Sequence, residues 1–284
     1  MKILFILLTF TQLSLAQSLT TLAERTNWVE TGDAQETTGL CRAFSHRFPS
    51  MVKCRIYGKT PEGRELFYLS VNERPGNTVV WVQAGIHAGE IDGKDAVFWL
   101  LRQILSQELK PSPLKGVNLV FIPIVNLDGH ERRGQWNRPN QVGPNEMGWR
   151  TTAQNLNMNR DFAKAEAPET RALNELWRRV DPSLSLDLHV TDGAQFQPEV
   201  GVIVLPTTHY GATPLHVAGK KLEDTLMVKL KARGRHALNF YPSFEDDENP
   251  LSGFGRYVST ARYSQGYWSN RNRLGILVET HSWK

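Results

Sequence analysis

In residues 79–90 the chain reads VVWVQAGIHAGE, an apolar run that ends in a His and a Glu three positions apart. The apolar part, Val79 to Val82, predicts a buried strand, and Ile91 to Leu105 predicts the helix that follows it. At such a strand end His87 and Glu90 can place an imidazole nitrogen and a carboxylate on one cation, the donor set that a catalytic zinc favours. One H-x-x-E motif often arises by chance, so its meaning depends on the rest of the chain.

Predicted strands alternate with predicted helices along the whole chain. The further strands are expected at 52–57, 65–71, 117–125, 184–190, 200–205 and 274–278, and the further helices within 20–48 and at 166–180 and 214–233. This alternation predicts an α/β fold, with a mixed, largely parallel central sheet flanked by helices on both faces. Segments 126–165 and 242–273 are predicted to be mostly loop, and loops this long in a compact domain are usually functional.

Two more candidate residues stand at the ends of predicted strands, where ligands of α/β sheets gather. His189 closes the apolar strand 184–190 and is a candidate third metal ligand, or else a hydrogen-bonded histidine at a strand end. Glu279 closes the last strand, where a carboxylate is costly unless it is paired. It is a candidate general base for a zinc-activated water, passing the proton to the leaving nitrogen. The alternative is a structural glutamate paired with Arg271 or Arg273.

The long loop supplies candidate cations for binding substrate. Asn159 and Arg160 are adjacent, and a planar guanidinium suits a bidentate grip on a carboxylate. Arg150 is a second cation, suited to polarising a scissile carbonyl. The alternative for each arginine is a solvated position on the loop surface.

The bulk properties are those of a globular protein. The chain has 284 residues, 40% hydrophobic and 22% charged, with a net charge of +4 that falls to +3 if Lys2 is removed with a leader. This size allows one large domain or two small ones. The mild positive charge suits anionic surroundings such as a cell wall, and without a Lys/Arg run we expect no nucleic-acid partner.

Residues 1–16 predict a secretory signal, with Lys2 before an apolar run and a small-x-small cleavage site at 14–16. The apolar run is too short to span a bilayer, so we expect a secreted or periplasmic protein without stable membrane insertion after signal removal. A buried N-terminal strand or a membrane anchor is the alternative. Cys41 and Cys54 can pair in an oxidising compartment or remain buried thiols, and the sequence leaves both open.

Together, His87-x-x-Glu90, Asn159-Arg160, His189 and Glu279 resemble the zinc metallocarboxypeptidase family of the pancreatic type, in order and spacing over about residues 50 to 280. Residues 85–96 particularly resemble a bacterial exported branch. The resemblance implies a mixed sheet flanked by helices with one Zn²⁺ per chain at its edge, held by His87, Glu90 and His189. It also implies that Glu279 is the general base.

The same resemblance implies the substrate and the residues that bind it. Asn159 and Arg160 would hold the terminal carboxylate of a peptide, and Arg150 would stabilise the oxyanion. A tyrosine is expected to close over substrate; Tyr257, Tyr263 and Tyr267 compete for this role, and Tyr263 is preferred. The implied activity is hydrolysis of the C-terminal peptide bond of peptides, including cell-wall peptides, by a monomer.

Three departures from the family pattern matter. Asn157 stands where the family commonly has an Asp that orients a zinc-bound histidine, which predicts a less basic ligand rather than loss of metal. Asp192, in the VTDG segment 190–193, faces a cationic substrate group or simply forms a turn. The chain ends five residues after Glu279. We therefore expect a catalytic domain at 17–284 without the family's closing C-terminal helix and with an uncovered apolar sheet edge.

Two other functions fit parts of the pattern. One is an N-acyl amino acid amidohydrolase of the desuccinylase or aspartoacylase type, which needs the same H-x-x-E, distant His, Arg and Glu. The other is a catalytically inactive binding module or truncated fragment. The Asn-Arg pair and the long loop favour the peptidase, and retention of all three ligands and the base argues against an inactive module.

Overall fold

The computed structural model of the chain describes residues 19–193, 197–257 and 259–282. The predicted signal segment, residues 1–16, lies outside these described residues. None of the helices within the described ranges has both the length and the hydropathy that crossing a membrane requires.

The centre of the fold is an eight-stranded mixed sheet with the order β1-β2-β4-β3-β5-β10-β6-β7. Its strands, together with the small hairpin β8–β9, are β1 Val52–Lys59, β2 Glu65–Val71, β3 Thr78–Ala84, β4 Val117–Ile122, β5 Leu184–Val190, β6 Val200–Leu205, β7 Ala237–Leu238, β8 Ser243–Phe244, β9 Phe254–Gly255 and β10 Leu274–Thr280. The inner strands β4, β3, β5 and β10 run parallel, whereas β1–β2, β2–β4 and β10–β6 are antiparallel. The predicted mixed, largely parallel sheet is confirmed.

Helices cover both faces of this sheet. They are α1 Leu22–Arg25, α2 Ala34–Arg47, α3 Asp92–Leu105, α4 Leu127–Glu131, α5 Pro168–Val180, α6 Pro214–Ala232 and α7 Ser264–Ser269, with single 3-10 turns at Met158–Arg160 and Pro250–Ser252. Neighbouring residues of one strand point to opposite faces. On β3, Trp81 accordingly packs in the core below α5 and α7, and Val82 packs in the core below α2 and α3.

The helices form because their apolar residues recur on one side. In α3 the buried positions Phe98, Leu101 and Ile104 follow helical spacing and face the sheet. In α5 the buried positions Leu173 and Trp177 also follow helical spacing and pack on the opposite face of the sheet. Pro168 is the first residue of this helix, where the missing backbone N–H costs no helical hydrogen bond.

Most predicted element bounds agree with the structure, and the differences have physical causes. Strands β2, β5 and β6 begin and end where predicted, but β4 ends at Ile122 instead of 125. The loop-like segment 242–273 contains the helix α7, whose six residues are too few to show a helical period. Cys41 and Cys54 form a disulfide, which settles the open choice in favour of pairing.

The expectation of an uncovered apolar edge at the last strand is wrong. Strand β10 pairs with β5 on one side and with β6 on the other, so it is an inner strand. The expectation rested on the absence of the family's closing helix after this strand, whereas the strand order places β10 in the middle of the sheet. The outer strands are β1 and the two-residue β7.

Candidate metal centre and active site

Three buried side chains from two neighbouring parallel strands converge at the carboxyl ends of those strands. His87 and Glu90 lie between β3 and α3, and His189 lies near the end of β5. Each offers a ligand atom, and these atoms all lie within 4.8 Å of one another. The sequence-predicted ligand set is therefore brought together by the fold.

The turn between His87 and Glu90 depends on Gly89. Its φ of +96° is unfavourable for a residue with a side chain, and a Cβ there would lie 3.0 Å from Cγ of Arg138 and 3.1 Å from the carbonyl oxygen of Gly148. The tight turn returns the chain so that the Glu90 amide donates to the carbonyl of His87 at 3.1 Å. Glycine at this position thus lets the two ligands share one side of the loop.

Hydrogen bonds outside the cluster fix which nitrogen each imidazole presents. Nε2 of His87 donates to Oδ1 of Asn157 at 3.1 Å, so Nδ1 faces Oε1 of Glu90 at 3.2 Å. Nε2 of His189 donates to Oδ2 of Asp187 at 3.1 Å, so Nδ1 faces Oε2 of Glu90 at 2.9 Å. An imidazole anchored through one nitrogen keeps the lone pair of the other nitrogen for a metal.

These residues fit a zinc ion. Two imidazole nitrogens and one carboxylate are the donor set of a catalytic zinc site that keeps a fourth position open. Atoms that share one zinc at about 2.1 Å lie roughly 3.4 Å apart in a tetrahedron. Nδ1 of His87 lies 3.2 Å from Oε1 of Glu90 and Nδ1 of His189 lies 2.9 Å from Oε2, so each imidazole lies close to that distance from one of the two carboxylate oxygens.

A buried arginine, missed by the sequence analysis, holds Glu90 from the other side. Arg138 donates from Nη2 to Oε1 of Glu90 at 2.7 Å and from Nη1 to the carbonyl of Ala88 at 3.0 Å. Burial alone would raise the pKa of Glu90, but the charges and hydrogen bonds of His87 and His189 outweigh it and hold that pKa well below its usual range. Nothing in the local sequence marks this arginine, because only closure of the long loop buries it.

Arg150 and Asp192 complete the charged surroundings of Glu90. Nη1 of Arg150 lies 3.4 Å from Oε1 of Glu90 and 3.8 Å from Oδ1 of Asp192. Nη2 of Arg138 lies 3.7 Å from the same atom of Asp192. Asp192 is therefore already matched by two cations of the protein itself.

Glu279 lies beside His189, and the two are register partners on the parallel strands β10 and β5. The alternative salt-bridge partners are engaged elsewhere: Arg273 pairs with Asp181 at 2.6 Å, and the guanidinium of Arg271 lies 3.5 Å from the centre of the Tyr267 ring. Burial raises the pKa of Glu279 to about 8, with Glu90 among the neighbouring charges that add to the effect and His189 opposing it. The structure therefore gives no support to the salt-bridge alternative for this residue.

The candidate substrate-binding pair is placed by a 3-10 turn next to the metal cluster. Asn157 begins this turn and accepts from the Asn159 amide at 3.0 Å. Nδ2 of Asn159 lies 3.4 Å from Nε2 of His189, and Oδ1 accepts from the Ser264 amide at 3.1 Å. Arg160 follows, with its guanidinium carbon 4.5 Å from the centre of the Tyr263 ring.

All the predicted site residues line a single cavity of about 860 Å³. They are His87, Glu90, Arg150, Asn159, Arg160, His189, Tyr263 and Glu279. Of the three competing tyrosines, Tyr267 is buried in the core against Phe162 and does not line the cavity. Tyr257 does line it, is 57% exposed and donates from its hydroxyl to the carbonyl of Phe244 at 2.7 Å. Tyr257 and Tyr263 thus remain candidates for the tyrosine that closes over substrate.

Asp187 is a second residue that the sequence analysis missed, and here a signal existed. It precedes His189 by two positions on β5, so both side chains point to the same face of the sheet. It is fully buried and also accepts a hydrogen bond from the Ser264 hydroxyl. A carboxylate two positions before a strand-end histidine is suited to orienting that imidazole.

The sequence of the chain is similar to those of known proteins. A family model described as zinc carboxypeptidase matches residues 37–199. The chain is 28% identical over 194 residues to carboxypeptidase 2 of Trichophyton equinum, covering 65% of this chain and 32% of that protein. It is 26% identical over 166 residues to carboxypeptidase D of Drosophila melanogaster, covering 52% of this chain and 11% of that protein. The chain thus spans about a third or less of the length of these curated relatives.

Solved structures share the fold. Carboxypeptidase A of Helicoverpa armigera superimposes with a TM-score of 0.63 at 15% identity, covering 89% of this chain and 65% of that one. A metallo-carboxypeptidase of Pseudomonas aeruginosa superimposes with a TM-score of 0.58 at 19% identity, covering 85% and 59%.

Proposed function

The chain belongs to the zinc carboxypeptidase family, and from this premise we propose that it is a zinc-dependent metallocarboxypeptidase that hydrolyses the C-terminal peptide bond of peptides. One observation carries the proposal: the ligand set His87, Glu90 and His189 and the unpaired guanidinium of Arg160 open into the same cavity. An activating centre and an anion-binding group at one site suit a substrate whose scissile bond lies next to a free carboxylate.

Arg160 and Asn159 are proposed to bind that terminal carboxylate. In the described part of the chain Arg160 has no carboxylate in ion-pair range, and it donates only to the backbone carbonyl of Asn159 at 2.8 Å. A guanidinium left without an acidic partner in a cavity favours an anionic ligand. Arg160 is exposed to solvent, and its guanidinium packs against the Tyr263 ring, which restrains the side chain before a ligand binds.

Arg150 and Glu279 are proposed to act on the bond itself. A zinc ion held by the three ligands would polarise the scissile carbonyl and acidify water. Arg150 lines the cavity beside Glu90 and can donate to the carbonyl oxygen as negative charge develops there. Glu279, buried but facing the cavity, can take a proton from the attacking water and return it to the leaving nitrogen.

Export of the protein is part of the proposal. The Cys41–Cys54 disulfide ties α2 to β1 and suits an oxidising compartment. Together with the sequence of residues 1–16, it supports a secreted or periplasmic enzyme that acts as a monomer on peptides, including cell-wall peptides.

The test is mass spectrometry of products from the zinc-loaded protein, with Glu279→Gln as the matched control. The substrates are peptides with varied free C-termini, murein-type peptides and N-acyl amino acids. We expect stepwise loss of C-terminal residues that is absent in the control. Release of acyl groups instead would assign an amidohydrolase, and no turnover of any substrate by a protein that binds zinc would refute the proposal.

A further inference from the structure

Two guanidinium groups share one aromatic ring in the cavity. The guanidinium carbons of Arg160 and Arg262 lie 4.5 Å and 4.8 Å from the centre of the Tyr263 ring, so they are no more than about 9.3 Å apart. Nη2 of Arg262 also donates to the Tyr263 hydroxyl at 2.7 Å. Both arginines line the cavity that contains the metal ligands.

Neither of these cations is neutralised within the described residues. Arg138 and Arg150 pair with Glu90 and Asp192, but no acidic side chain of the described ranges forms an ion pair with Arg160 or Arg262. Burial lowers the pKa of Arg160, and the charge of Arg262 adds to that effect. Two like charges that are held close together without partners favour a ligand that brings two negative charges.

Acidic residues also line the cavity and would favour a different ligand. Glu245, Asp246 and Asp247 follow β8, are exposed to solvent and have no described contact with Asn159 or Tyr263. Oδ1 of Asp246 already accepts from the Glu248 amide at 3.0 Å. Exposed charges interact weakly because water and salt screen them. Arg262 is exposed as well, but its hydrogen bond and ring contact with Tyr263 hold it beside the carboxylate-binding Arg160, where no described contact places the three acids.

We infer that Arg262 binds a second carboxylate, carried by the side chain of the substrate's C-terminal residue, so that the enzyme prefers peptides ending in Glu or Asp. This inference rests on the proposed carboxypeptidase function. The two carboxylates of a C-terminal glutamate lie up to about 5 Å apart. One of them can bind Arg160 while the other reaches Arg262, because both guanidinium groups lie on the same tyrosine.

The first test compares kcat/KM for acylated dipeptides that differ only in their last residue: Glu, Asp, Gln, Leu or Lys. Glutamine has nearly the shape of glutamate without its charge. Because Arg262 is exposed, an ion pair with it predicts a preference for Glu over Gln of about 2- to 5-fold. Equal rates for Glu and Gln, or a preference for Lys, would overturn the inference while leaving the carboxypeptidase function established.

The second test uses Arg262→Gln, with Arg256→Gln as the matched control. Arg256 also lies against an aromatic ring, 5.4 Å from the centre of Phe240, but it does not line this cavity. We expect Arg262→Gln to lower the Glu-to-Leu ratio of kcat/KM by about 2- to 5-fold. Arg256→Gln should leave the ratio unchanged, and Arg262→Lys should restore part of it. An equal loss for Glu and Leu peptides would show that Arg262 only supports Tyr263.

A binding measurement separates this inference from the proposed reaction. Calorimetric titration of the Glu279→Gln protein with glutarate and with butyrate compares a dicarboxylate with a monocarboxylate of similar length, and needs no turnover. We expect glutarate to bind about 2- to 5-fold more tightly, and Arg262→Gln to remove the difference. Equal binding of the two acids would overturn the role of Arg262, whereas tighter glutarate binding without peptide turnover would refute only the peptidase.

Discussion

Asn157 and Asp187 each accept a hydrogen bond from one histidine ligand on the side away from the metal site. Replacing these two residues should change the zinc affinity in opposite directions. His87 is anchored by the neutral amide of Asn157, whereas His189 is anchored by the carboxylate of Asp187. A carboxylate partner makes an imidazole a more basic ligand than an amide does. We therefore expect Asn157→Asp to tighten zinc binding and Asp187→Asn to weaken it.

The magnitudes follow from burial. Changes in such outer partners typically alter metal affinity by 10- to 100-fold, about 1.4 to 2.7 kcal/mol. Asp187 is fully buried, so its charge is poorly screened and its loss should approach the upper value. Asn157 is half-buried, so a carboxylate there should give a gain of about tenfold. Asp at position 157 can still accept from the Asn159 amide, so the 3-10 turn should persist.

The assay is competition for zinc against a chromophoric chelator at neutral pH, with urea denaturation of each metal-free variant to show that folding is unchanged. Asn155→Asp is the matched control: it adds the same charge two residues away at an exposed site. Its backbone φ of +61° suits Asp as well as Asn. The reasoning is refuted if Asn157→Asp binds zinc no more tightly than Asn155→Asp does, or if Asp187→Asn leaves affinity unchanged.

Three further predictions concern catalysis, pH and the disulfide. Glu279→Gln should lower kcat by about 100- to 10,000-fold while zinc affinity stays within a few fold; loss of metal instead would assign the residue a structural role. Burial lowers the pKa of His130 to about 3 in the folded protein, whereas the unfolded chain binds a proton at this residue below about pH 6.5. Between these two pH values protonation therefore favours the unfolded state. The free energy of unfolding should therefore fall by up to about 1.4 kcal/mol per pH unit toward pH 3. Urea denaturation at several pH values should show a smaller dependence on pH for His130→Gln. Replacing both Cys41 and Cys54 by Ser should lower the free energy of unfolding by about 2–4 kcal/mol. Denaturation of the variant and of the reduced protein checks this, and the two should have similar stability.

The sequence predicted the ligands because each follows an apolar run of strand length. Residues 184–190 and 79–84 are bounded by polar or turn residues, so the ends of both strands, and hence the positions of His189 and His87, could be located. Parallel inner strands bring such ends to one edge of a sheet. The order of the strands could not be derived in this way, and only the structure places β10 next to β5 and so Glu279 beside His189.

The residues that escaped prediction act through tertiary contacts. Arg138 lies in the polar loop 126–165, and its sequence neighbours give no reason to expect burial against Glu90. Helix α7 has six residues, so its burial arises from packing on β10 and not from its own periodicity. Arg262 lies just before α7, and its guanidinium contacts the same Tyr263 ring as that of Arg160. This is a tertiary contact that the sequence does not indicate.

The charges around the cavity are separated in a way that matches both proposed ligands. On the metal side Glu90 and Asp192 pair with Arg138 and Arg150, and the carboxyl groups of Asp187 and Glu279 lie beside His189. Glu90, Asp187 and Glu279 are buried, and a divalent cation bound at this site would stabilise their ionised forms. On the Tyr263 side Arg160 and Arg262 have no ion-pair partner among the described residues, so both guanidinium groups are available to a dicarboxylate. Each side therefore favours a ligand of opposite charge: a cation among the buried carboxyl groups, where unmatched charge is costly, and an anion beside Arg160 and Arg262.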